Sequence, residues 1–194
     1  MGFKVSYAGL RCGLKDASEA LGLTLGPQLE GGLFDLSWIA DRPNSEWTLV
    51  RMEYPDWVSR NENLLCDLSS RFEIVACEVH EGVMYSAVQC WKAGRRVWKV
   101  SHTGSQGDVF NLDASGDLPA AFSVIRDTQV AAQNAEAEPT ACDHMFEVPL
   151  SLVEAVLDFR HDVVFERNEF RDIFEIQRPA KPSLFSRMIG RVLR

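Results

Sequence analysis

The chain has 194 residues, which allows one compact domain or two small ones sharing a sheet and excludes a large multidomain assembly. Hydrophobic residues make up 46% and charged residues 25%, close to the globular average, so disordered, collagen-like and fibrous classes fall away for the chain as a whole. The net charge of −8 hides an asymmetry: Arg178 to Arg194 holds five bases and no acid, leaving 15 bases against 28 acids, or −13, in residues 1–177. An acidic body of this kind argues against nucleic-acid binding, which needs a clustered basic face to neutralise phosphate.

Cys12, Cys66, Cys77, Cys90 and Cys142 are odd in number and widely spaced, with no CxxC pair. That usage fits reduced thiols in a cytoplasmic protein better than a disulfide framework or a structural zinc site. No stretch of 18 apolar residues and no secretory leader is visible, and Met1 to Ser6 matches the myristoylation pattern M-G-x-x-x-[ST] only formally.

In chain order, Phe3 to Cys12 reads as a strand. Asp16 with Glu19 reads as a capped helix start running to Gly22. Gly26-Pro27 to Gly31-Gly32 is a breaker-rich linker. Leu33 to Ala40 and Trp47 to Tyr54 then form a hairpin over a polar turn containing Pro43. Trp57, Val58, Leu64, Leu65 and Leu68 approximate one face of a helix that Asp56 caps. Phe72 to Val79, Val83 to Trp91 and Arg95 to His102, separated by short glycine-containing turns, predict an antiparallel meander whose first strand is buried on both faces.

After the loop 103–107, Val109 to Leu112 reads as an edge strand and Leu118-Pro119 opens a helix to about Ala132. Asn134 to Ala141 is a loop and His144 to Val148 a strand, and Ser151-x-x-Glu154 caps a last helix. The stretch 163–177 fits both strand and helix periodicity. The expected fold is α+β: a mainly antiparallel sheet with a ferredoxin-like first half (βαββαβ), an extended meander and flanking helices. Residues 1–177 form the domain, with a possible division into 1–80 and 81–177, and 178–194 a basic amphipathic tail.

No motif carries a catalytic set. Gly104-Ser105-Gln106-Gly107 lacks the GK[ST] ending and a following helix, so it is no phosphate cradle. Asn111-x-Asp113-x-Ser115-Gly116 imitates a calcium loop but places Phe122 where the bidentate Glu belongs. Cys142 and His144, two apart, share one side of a strand, and His80, Cys90 and His102 lie on the meander; a metal needs three or four converging ligands, and only this pair is visible. A Cys–His nucleophile lacks the activating turn. Glu78 and Glu81 bracket a hairpin, where solvated carboxylates are the simpler reading. The reading is no catalytic residue, no metal and no cofactor.

Trp91 and Trp98 flank one turn. With Arg95 and Arg96 between them they form either a core pair or a partner-binding patch. In the tail, Leu184, Phe185, Met188, Ile189, Val192 and Leu193 line one helical face, with Arg187, Arg191 and Arg194 on the other. Such a helix docks on its own acidic body, in a partner groove or on an anionic membrane.

The segments Phe72-Glu73-Ile74-Val75-Ala76-Cys77, Val83-Met84-Tyr85-Ser86, Arg95 to His102, Gly116-Asp117-Leu118-Pro119 and Phe146 to Asp162 resemble small bacterial proteins of similar length. The resemblance implies a bacterial cytosolic origin. Small acidic α+β proteins of this type include immunity and accessory proteins of secreted toxins, with no residue to carry over. The expected function is a non-catalytic protein-binding module, an immunity-type inhibitor of a basic toxin, that binds no nucleic acid. The alternatives are an enzyme with a cleft joining His80, Glu81, His102 or Cys90, and an accessory protein touching membrane through 184–194. Deleting Leu184 to Arg194 is expected to leave a cooperative thermal melt, measured by circular dichroism; a truncated chain without one would place the tail in the core.

Overall fold

In the computed structural model, residues 2–30, 36–104, 108–138, 142–163 and 169–177 are described. Their centre is a nine-stranded sheet in which every neighbouring pair is antiparallel. The strands are β1 (Lys4–Leu10), β2 (Thr24–Gln28), β3 (Trp38–Asp41), β4 (Thr48–Met52), β5 (Ile74–His80), β6 (Tyr85–Lys92), β7 (Arg95–Thr103), β8 (Asp113–Gly116) and β9 (Asp172–Gln177). Their order across the sheet is β2-β9-β3-β4-β1-β5-β6-β7-β8. The fold is thus α+β with a mainly antiparallel sheet, as the residue pattern predicts.

Helices cover both faces. On one face lie α1 (Leu14–Ala20), α2 (Trp57–Arg60) and α3 (Glu62–Leu68), whose Ala17, Trp57, Val58 and Leu65 pack on Ala8, Leu10, Ile39, Val50, Ile74 and Ala76. On the other, α4 (Ala121–Ala135) and α5 (Glu147–Leu157) bring Phe122, Val148, Leu152, Val153 and Leu157 against Val5, Tyr7, Leu49, Val75, Cys77, Val88 and Val100. The alternation along β1 and β5 assigns successive residues to the two cores, so both strands are apolar almost throughout. Gly9 belongs here for space: a Cβ would stand 2.5 Å from Leu157 Cδ2.

Several elements depart from the sequence reading. The linker at Gly26-Pro27 is part of β2, an edge strand paired only with β9, and the register shifts between Leu25 and Gln28, where those two residues sit. Proline has no N–H to donate, so an irregular edge accommodates it. The single helix over 56–68 is broken at Asn61 into α2 and α3; Asp56 makes no cap hydrogen bond and instead pairs with Arg60. The edge strand expected at 109–112 begins four residues later, because Asp108 ties down a turn through Phe110 N to its Oδ1 and Asn111 N to its carbonyl. The strand expected at 144–148 is a 3-10 turn, His144–Phe146, running into α5. Asp143 starts it by accepting from Phe146 N, and Pro149 sits in the first turn of α5, where no intrahelical donor is needed. The ambiguous stretch resolves at its end as β9, inserted between β2 and β3.

The turn Ala93-Gly94 has positive φ at both residues, the type I′ pattern that matches hairpin twist. Among the described residues, no helix is long and apolar enough to cross a membrane. Gly116, which closes β8, has φ +87°, and a Cβ there would collide with the Val97 carbonyl oxygen. Gly116→Ala is expected to cost more than about 1 kcal/mol in urea unfolding and to speed hydrogen exchange over Trp98–Ser101, the stretch of β7 that β8 pairs with. Unchanged exchange there would contradict the fit.

Candidate functional site

The tryptophan patch does not reach the surface: Trp91 is 2% and Trp98 6% exposed. A bulge between Cys90 and Trp91 explains it, since Cys90 pairs with Trp98 but Trp91 pairs with Arg96. The extra residue turns the two rings to opposite faces, Trp91 toward α1–α3 and Trp98 toward α5. What remains outside is the hairpin tip with Arg95 and Arg96. Arg96 donates to Gln89 and pairs with Glu62, and neighbouring Lys92 pairs with Glu73. The tail residues Phe185, Arg187, Met188, Ile189 and Arg191 lie outside the described residues.

The four residues of the enzyme alternative are not brought together. His80 pairs with Tyr85 and His102 with Ser86, so neighbouring positions send their side chains to opposite faces. Cys90 lies four positions further along β6, and Glu81 accepts a hydrogen bond from Phe3 N. Glu78 and Glu81 form no pair either. Glu78 is buried under α2, where burial raises its carboxyl pKa against the opposing hydrogen bonds from Ser59 N (2.7 Å) and the Tyr85 hydroxyl (3.4 Å). A groove of about 500 Å³ lined by Leu36, Ser37, Glu53, Glu175, Ile176 and Gln177 holds no imidazole or thiol.

Two clusters of chemically capable side chains stand out. The first is internal. The rings of Phe3, His161, Tyr7, Phe159, Trp38 and Phe170 touch in sequence with centroids 5.0–5.8 Å apart. Beside them, burial pushes the Cys77 thiol up to about 12 and the Tyr7 hydroxyl well above its ordinary value, so neither ionises near neutral pH. Burial is also the main reason that His161 is held down at about 4; Arg160 and Arg51 add to it, and Asp162 opposes. Arg160 in turn bonds Asp162 at 2.7 Å and pairs with Glu147 at 2.8 Å. The rings pack against one another in the core.

The second cluster lies between the C-terminal end of α4 and the 3-10 turn His144–Phe146. Gln133, 3% exposed on the last turn of α4, uses both ends of its amide: Nε2 donates to the Cys142 carbonyl (3.1 Å) and Oε1 accepts from His144 N (2.9 Å). Between them Asp143 points inward. Its Oδ1 accepts from Phe146 N, and its Oδ2 lies 2.9 Å from Nε2 of buried His102, whose Nδ1 faces the Asn111 carbonyl at 2.5 Å. With the backbone clamped and Asp143 anchored, Cys142 and His144 are left on the outer side. His144 Nε2 is 2.8 Å from Glu136 Oε1, and one ring nitrogen of His144, one carboxylate oxygen of Glu136 and the Cys142 sulfur lie within 4.8 Å of one another. The shared side of Cys142 and His144 follows from their i, i+2 spacing. Glu136 is not legible in the sequence, since no periodicity or spacing links it to them.

His161 gives a testable sign. Its folded value of about 4 lies below the ordinary 6.5, so the unfolded chain binds a proton first as pH falls. Stability is retained above about 6.5, lost progressively toward pH 4 and level below, about 3 kcal/mol in all. His161→Phe is expected to remove that component: the gap between variant and wild type in urea unfolding should change between pH 7 and pH 4, and a constant gap would refute it.

Compared with protein-family models, with curated proteins and with solved structures, the chain has no match.

Proposed function

We propose that this chain is a non-catalytic binding protein that meets a basic protein partner, in the manner of an immunity-type inhibitor. The observation that carries the reading is the free edge at β8. Among the described residues, all four residues of β8 are exposed, the strand pairs only with β7, and Asp108, Asp113 and Asp117 around it make no ion pair. Phe110 and Val124, 43% and 70% exposed, flank the same stretch of chain and supply apolar contact.

An extended basic segment would find main-chain groups to pair with and acids to steer it. The net −13 of residues 1–177 acts in the same direction. Both faces of the sheet are already filled by the chain's own helices, which favours recognition at the edge over a buried small-molecule site. In the first half, the order β3-β4-β1-β5 with α1 to α3 on one face supports the ferredoxin-like reading, with β2 and β9 added outside it.

The experiment pairs this chain with whichever basic proteins are encoded next to its gene. Complex formation with an association rate that falls steeply with salt, and that drops about tenfold or more in Asp113→Lys/Asp117→Lys, is the expected result. Rescue of growth from that neighbour's toxicity should fail in the same variant. No complex, or one indifferent to both charge reversals, would overturn the reading.

A further inference from the structure

We propose that Glu136, Cys142 and His144 form a binding site for a divalent transition ion of the zinc class, a site separate from the β8 edge. The donor set decides the class of ion. One thiolate, one imidazole and one carboxylate suit a borderline-soft cation, whereas magnesium and calcium take oxygen donors. Around a tetrahedral zinc with bonds of about 2.0–2.3 Å, neighbouring donors stand about 3.3–3.8 Å apart. The three donor atoms lie within 4.8 Å of one another, and Cys142 is exposed with its thiol making no hydrogen bond among the described residues, so a rotation of its side chain closes the difference.

The second observation is the way the site is held from behind. Gln133 fixes the backbone on both sides of Asp143, and Asp143 is fixed by His102 and Phe146 N. That double clamp leaves only the side chains of Cys142 and His144 to adapt, which is the role outer-shell contacts play around bound metals. Coordination exchanges the His144–Glu136 hydrogen bond for two metal bonds. The thiol proton leaves to solvent as the metal–sulfur bond forms, and the imidazole N–H moves from Nε2 to Nδ1. Three protein donors leave the fourth position to water.

The test uses the full chain, stripped with chelator, reduced and titrated with Co2+ and then Zn2+. One equivalent of cobalt should give a thiolate-to-metal charge-transfer band and the visible bands of a four-coordinate ion, and zinc should displace it. Cys142→Ser and His144→Ala should abolish the signal with the far-UV circular dichroism unchanged. Glu136→Gln should weaken binding about tenfold or more with the charge-transfer band retained, and Cys66→Ser, elsewhere on the surface, should bind as wild type. Absence of a stoichiometric band in the wild type, its persistence in Cys142→Ser, or an unaltered affinity in Glu136→Gln would overturn the assignment.

Discussion

The structure depends on one constraint: its sheet is covered on both faces. Every residue of the central strands must therefore be apolar or find its polar partner inside. β1 and β5 obey this with Val5, Tyr7, Ala8, Leu10, Ile74, Val75, Cys77 and Val79, all at most 1% exposed. Several of the exceptions are satisfied locally, while the Tyr7 hydroxyl and His80 Nδ1 are buried without a hydrogen bond among the described residues. Ser6 bonds the Tyr54 carbonyl, Ser86 bonds the Phe146 carbonyl and Glu78 takes Ser59 N. Unmade hydrogen bonds at such depth would cost more than the made ones contribute. The same constraint raises the thiol and phenol pKa values of the interior, so Cys77 and Tyr7 stay protonated near neutral pH, whereas at the rim a thiol, an imidazole and a carboxylate lie together.

How far the residues announce this fold differs from element to element. The meander of β5, β6 and β7 is legible because apolar runs are separated by short turns with glycine, a local signal. α1 is legible from Gly22, whose φ of +63° stops the helix where the residue pattern stops it. β2 is not legible, because its pairing with β9 joins residues about 150 positions apart, and Gly26-Pro27 is a breaker in any local window. The strand expected at 144–148 fails for a similar reason: the cap that starts the helix is Asp143, whose orientation is set by His102 from β7. The bulge at Cys90 is invisible to alternation, and it alone decides that Trp91 and Trp98 are core residues on opposite faces.

The rim cluster shows the same division. Spacing tells that Cys142 and His144 share a side. The third donor and the two clamps come from α4 and β7, and no periodicity links them to residues 142–144. A chain without a compact motif can thus still assemble a mixed-donor constellation from three elements, provided that a buried amide such as Gln133 does the positioning.

The place of β9 has a consequence for the birth of the molecule. Residues 172–177 come late in the chain, yet they separate β2 from β3, both laid down within the first 41 residues. During synthesis, the half of the sheet that emerges first has an unfilled slot beside β3, with main-chain donors and acceptors open to any passing strand. The closing contact is among the most distant in sequence, so loop entropy makes it slow. A nascent chain of this design is a candidate client for chaperones that shield strand edges until the last segment arrives.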